Sequence, residues 1–167
     1  MIPVQVRWLI RNDAQQYVAI EAASLENPWC EEDFLRCLRQ RNCIGMVAED
    51  CDGRIHGFVI YELHRGHLKI LNLAVDPASR RQRVGTQIIK RLTEKLSRQR
   101  RKYLFADVRE TNVGGQLFYR ACGFKAVAIS RGGFDDTDED GYLMRFDVEP
   151  QAAFEPVNRI TEFLEAE

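Results

Sequence analysis

The chain has 167 residues, of which 45% are hydrophobic and 29% charged, with a formal net charge of −1. That length suits one core and not two, and the composition is that of a soluble globular protein. No apolar run reaches the roughly 20 residues of a membrane span, and MIPVQVRWLIRND meets a charged residue too early for a secretory leader, so a cytoplasmic location is expected.

Residues 4–10 alternate in part and read as a first strand, and Asn12 and Asp13 offer cap chemistry for a helix running to about Leu25. Ala14, Tyr17, Val18 and Leu25 face inward in that reading, and Asn27-Pro28 breaks the helix before Trp29. A second helix is expected from Glu31 to about Arg41, acidic in its first turn, with Phe34, Leu35 and Leu38 on one face. Residues 44–49 and 55–63 make two strands around the hairpin signal Asp50-Cys51-Asp52-Gly53. After an Arg65-Gly66 turn, residues 68–75 form a strand that is apolar at nearly every position, as one covered on both faces would be.

Asp76-Pro77 stops that strand, and a basic loop leads into a helix whose Val84, Ile88, Ile89, Leu92 and Leu96 share a face and which is expected to end near Arg100. Residues 103–108 are strand again, so a βαβ crossover makes the sheet mixed. Thr111-Asn112 caps a helix through Ala121 that Gly123 closes, and residues 124–129 and 142–148 complete the strands. A domain over residues 1–149 then ends at Pro150. Phe154, Val157, Ile160, Phe163 and Leu164 mark residues 150–167 as an amphipathic helical extension.

A strand, basic loop and helix in that order aims free backbone N–H groups and a positive helix end at one spot, where a phosphate binds most naturally. Further along, Arg98, Arg100, Arg101 and Lys102 read as cations at a helix C-terminus. The five cysteines include no C-x-x-C pair, and His56, His64 and His67 lack a plausible ligand set, so reduced thiols and no metal are expected. The run from Asp135 to Asp140 is almost wholly acidic and reads first as a solvated loop.

Arg80-Arg81-Gln82-Arg83-Val84-Gly85, following residues 72–77, resembles the Q/R-x-x-G-x-G/A loop of the GNAT superfamily of acetyl-CoA-dependent N-acetyltransferases. Asp107-Val108-Arg109-Glu110-Thr111-Asn112, Leu117-Phe118-Tyr119 and Cys122-Gly123-Phe124 are similar to elements of its RimI-like protein N-α-acetyltransferases, as is Asn27-Pro28-Trp29. The resemblance implies an α/β fold, with a mixed, mostly antiparallel sheet of about six to seven strands, a central splayed parallel pair and helices on both faces. It implies that Arg80, Arg81, Gln82, Arg83, Val84, Gly85 and Thr86 hold the pyrophosphate of acetyl-CoA. Strand residues Leu73, Ala74 and Val75 with Asn112 would bind its amide-bearing arm.

By the same resemblance Tyr119 is the general acid and Asp107 a base, in a direct transfer from acetyl-CoA to a protein N-terminal amine. Burial among Leu104, Phe105 and Val108 would raise the Asp107 pKa. Two positions depart from the family pattern: Arg83 stands for a glycine, with right-handed helical geometry expected there, and Asp107 stands for a glutamate. In place of a family tyrosine pair stands Arg131-Gly132-Gly133-Phe134 before the acidic run, which in an acceptor groove would favour a cationic acceptor: a basic peptide, a lysine side chain or a polyamine. A CoA-binding module without turnover is a further alternative. A nucleic-acid surface is disfavoured because the basic region from Arg80 to Lys102 lacks interleaved aromatics.

Overall fold

In a computed structural model, which describes residues 1–97, 99–132, 134 and 138–148, the turns at residues 50–53 and 65–66 fold the middle of the chain into an antiparallel meander. The strands are β1 (Gln5–Trp8), β2 (Cys43–Glu49), β3 (Ile55–Leu63), β4 (His67–Val75), β5 (Tyr103–Arg109), β6 (Lys125–Ser130) and β7 (Gly141–Asp147). Among the described residues, α-helices α1 (Ala14–Ser24), α2 (Glu31–Leu38), α3 (Val84–Thr93) and α4 (Val113–Ala121) accompany them. One sheet results, in the order β1-β2-β3-β4-β5-β7-β6, in which β4 and β5 pair parallel and the other neighbours antiparallel. This is the mixed, mostly antiparallel α/β sheet expected.

Strand alternation sorts the core into two halves. Val47, Phe58, Ile60 and Ala74 meet Tyr17 and Ile20 of α1 and Phe34 and Cys37 of α2 on one face. Met46, Val59, Tyr61, Leu104, Ala106 and Val108 meet α3 and Tyr119 of α4 on the other. β4 serves both faces because it changes sides midway. Ile60 pairs with Asn72 and Tyr61 with Ile70, which leaves Leu71 as the extra residue of a β-bulge. Before the bulge Leu68 and Ile70 pack toward α3; beyond it Leu73 and Val75 do, while Leu71 and Ala74 turn to the α1 side.

Element ends differ from the sequence reading. α2 stops at Leu38 rather than Arg41, and α3 stops at Thr93 rather than near Arg100, after which Ser97 and Arg101 form an antiparallel bridge. Lys90 and Arg91 therefore occupy the last turn of α3, and Arg101 donates instead to the His64 carbonyl (2.9 Å). Arg98 lies outside the described residues. Leu25, just past the end of α1, and Leu35 are exposed, at 40% and 39%; Ile20 and Cys37 take the inward places. Asp13 does not cap α1 with its side chain. It accepts the Ile10 N–H and the Arg7 guanidinium (2.8 Å), which also binds Glu49 (2.7 Å) and so ties the start of α1 to the sheet. The proposed extension over residues 150–167 lies outside the described residues.

Candidate active site

The bulge at Leu71 also opens the sheet. Parallel pairing of β4 with β5 runs from His67↔Tyr103 to Ile70↔Ala106 and stops there, so the two strands splay from the bulge onward. Asp76 donates its N–H to the His56 carbonyl of β3 (2.9 Å), and period-2 alternation then turns the N–H groups of Leu73 and Val75 the other way, into the gap. Ala74 points its backbone to β3 and its side chain into the α1-side core. Of the three expected strand residues, two therefore face the gap and Ala74 does not. The Val75 carbonyl accepts the Ser24 hydroxyl (3.2 Å), which leaves its N–H for a ligand.

The loop beside this gap is an array of donors. Among the described residues, no carbonyl or side chain accepts from the backbone N–H groups of residues 81–86. Arg81 and Arg83 both have φ +63°, and the intervening Gln82 does not have positive φ, so the backbone alternates in hand. Such alternation curls successive N–H groups into a nest for an anion, here extended by the start of α3. The expected right-handed geometry at Arg83 is thus corrected: it is the N-cap residue of α3 in the left-handed region, and its side chain replaces glycine at a cost of about 1 kcal/mol. Gly85 has a different task. A Cβ there would stand 3.0 Å from the Phe118 ring and 3.5 Å from Val75, so glycine lets α3 approach both α4 and the gap.

Tyr119 is buried against Phe118 and Phe124, with ring centroids 5.2 and 5.0 Å away. Burial pushes its phenol pKa well above the ordinary value, and the nearby Cys122 adds to this, so the hydroxyl keeps its proton at neutral pH. Among the described residues no group accepts that proton. Asn112 caps α4, its Oδ1 accepting the Gly115 N–H (2.8 Å) while its Nδ2 has no acceptor among the described residues. Cap and ligand contact thus use different atoms of one amide.

Asp107 is not where the sequence reading put it. Leu104, Ala106 and Val108 point into the α3-side core, and Asp107 alternates to the opposite face, where its carboxylate is 29% exposed and pairs with Lys69 of β4 (3.0 Å). Leu104 and Val108 therefore do not bury it, and of the three expected neighbours only Phe105 shares its face. Tyr119 and Asp107 therefore lie on opposite faces of the sheet, joined by the splay.

Other polar residues around the gap gave no sequence signal, since their partners are remote in the chain. Glu21 of α1 is fully buried; its Oε1 accepts from Asn72 of β4 (2.9 Å) and from the Trp29 N–H (3.0 Å), tying the α1–α2 connection to β4. Burial pushes its pKa up against those two bonds. From the acidic run, Glu139 pairs with Arg109 (3.3 Å) and accepts from the Thr111 N–H and hydroxyl, so it is a structural link and not a solvated charge. Asp135, Asp136 and Thr137 lie outside the described residues, as does Gly133.

A curled run of backbone N–H groups without acceptors among the described residues, two strand N–H groups turned to the splay and a buried phenol suit an anionic, extended acyl donor. The family model described as the acetyltransferase (GNAT) family matches residues 7–124. Ribosomal protein bS18-alanine N-acetyltransferase of Escherichia coli (strain K12) is 27% identical over 127 residues, covering 75% of this chain and 84% of that enzyme. In fold, the crystal structure of the ribosomal-protein-S18-alanine N-acetyltransferase from Escherichia coli matches with TM-score 0.76 at 22% identity, over 91% of this chain and 98% of that one. Arabidopsis thaliana NAA60 in complex with acetyl-CoA matches with TM-score 0.76 at 16% identity, over 87% and 99% of the two chains.

Proposed function

The chain belongs to the acetyltransferase (GNAT) family and is an acetyl-CoA-dependent N-acetyltransferase, and we propose that its acceptor is the α-amino group of a protein or peptide N-terminus. The bound cosubstrate supplies an acetyl group already activated as a thioester. The N–H groups of residues 81–86 hold its pyrophosphate, with the side chains of Arg80, Arg81 and Arg83 adding charge. Leu73 and Val75 donate from the strand edge toward the thioester carbonyl and polarise it, and the Asn112 amide steadies the arm. As the amine nitrogen bonds to the acetyl carbon and the carbon–sulfur bond breaks, Tyr119 gives its proton to the departing sulfur. Asp107 takes the amine proton through a bridging water, from the face opposite Tyr119.

The observation that carries the acceptor choice is the Asp107–Lys69 pair: a carboxylate already engaged by an ammonium suits an amine that gives up its proton readily. An α-amine, with an ordinary pKa near 8, does so far more easily than a lysine near 10.4. Relatives that act on the alanine of ribosomal protein bS18 support the same reading. A lysine or polyamine acceptor would need free acidic groups, and Glu139 is already spent on Arg109 and Thr111. Thiol release measured over a panel of N-terminally free peptides, N-blocked lysine peptides and polyamines tests this. Turnover is expected with free N-termini, alanine first, and acetylation confined to lysine or polyamine would overturn it. Acetyl-CoA binding with no turnover of any acceptor would leave a binding module.

A further inference from the structure

Asp50, His56 and Ser79 form a polar chain, buried at the His56 and Ser79 side chains, that the reaction above leaves unused. His56 Nε2–H donates to Asp50 Oδ2 (2.7 Å), and the Ser79 hydroxyl lies 2.7 Å from His56 Nδ1. Because a carboxylate only accepts, Nε2 must carry a proton, and Nδ1 of the neutral ring then accepts from the serine. Ser79 is 2% exposed, so no acyl group reaches it and the trio is no hydrolytic centre. Its placement is built into the strand: Ala48 pairs with Gly57 and Glu49 with Ile55, so His56 is the extra residue of a second bulge, the device that re-aims a side chain.

Ser79 immediately precedes the loop in which Arg81 and Arg83 hold left-handed angles, and strained non-glycine backbone persists only where its surroundings over-determine it. On the far side the loop is fixed by Gly85 against Phe118. On the near side the Ser79 N–H donates to the Asp76 carbonyl (2.7 Å) and its hydroxyl is held by His56, itself anchored to the hairpin turn through Asp50. The Arg54–Asp76 pair (2.9 Å) spans the same two segments but is exposed on the arginine side and contributes little.

We propose that His56 is a positioning residue for acetyl-CoA, clamping Ser79 so that the N–H groups of residues 81–86 stay converged on the pyrophosphate. This rests on the pyrophosphate reading of that loop. Calorimetry on the full chain with acetyl-CoA and with S-acetylpantetheine, which lacks the pyrophosphate, separates the two ideas. His56→Phe and Ser79→Ala should each weaken acetyl-CoA binding about tenfold, the double variant no further, because both remove one shared bond. Binding of S-acetylpantetheine and the KM for the acceptor should stay within about twofold of wild type. Acetyl-CoA binding as tight as wild type in the single variants, or equal loss for both ligands, would overturn the proposal. If the wild-type protein bound both ligands equally, the pyrophosphate reading itself would fall. Should His56→Phe not fold, Ser79→Ala, which removes a single hydroxyl, decides alone.

Discussion

Arg83 is where side-chain chemistry and backbone geometry pull in opposite directions. Its φ of +63° suits glycine, yet in the proposed pyrophosphate site its guanidinium would add charge. Arg83→Gly should raise unfolding free energy by about 0.5 to 1 kcal/mol in urea denaturation, since relief of left-handed strain outweighs the added freedom of the unfolded chain; a loss of stability would show that the arginine side chain anchors the loop. Tyr119→Phe keeps the ring stack and removes the proton. The kcat is expected to drop about 100-fold with the KM for acetyl-CoA within about twofold, and an unchanged kcat would assign proton delivery elsewhere. The Asn112 cap and the inward packing of Tyr119 were legible in the sequence because both follow from local helix position. The hand of Arg83 and the ion pair of Asp107 were not: the first depends on how Ser79 and Gly85 pin the loop, the second on the cross-strand register of β4 and β5.

Helix boundaries were the least legible elements, and α3 shows why. Leu96 continues the apolar period of Val84, Ile88, Ile89 and Leu92 and is buried with them, although it stands three residues past the helix end. Periodicity records what must be covered, not which backbone hydrogen bonds cover it. Helix-to-helix approach is set at Gly85, whose missing Cβ brings α3 onto Phe118, the neighbour of Tyr119 in α4. In Gly85→Ala the added methyl must push a ring flanked by core residues. A cost of about 1 to 3 kcal/mol is expected, read as a fall in thermal midpoint; an unchanged midpoint would mean that α4 yields freely and that the close contact is not required.

Across the whole molecule, the β2–β4 meander and the parallel crossover to β5 were legible from turns and the intervening helix, and helices on both faces followed from the resemblance, while the place of β7 between β5 and β6 and the links that join the two halves were not. Glu21 is one, a fully buried carboxyl joining α1, the α1–α2 connection and β4. Because burial raises its folded pKa above the unfolded value, its stabilising contribution is complete below the ordinary carboxyl range and is lost as pH rises through the raised value. Glu21→Gln cannot titrate. Thermal midpoints followed from about pH 5 to about pH 8 should therefore move against wild type relative to the variant, and a gap that stays constant with pH would show that Glu21 does not titrate there. Leu71 governs more than any of these contacts. Read as a two-letter alternating code, β4 carries one inserted character, and everything downstream is out of phase with what precedes it. No point substitution removes the extra residue; only deletion does, and deletion of Leu71 would leave Leu73 and Val75 on the α3 side of an unbroken alternation. The splay between β4 and β5 begins at what is in this sense a frameshift in the sheet, a property of residue count rather than of residue identity.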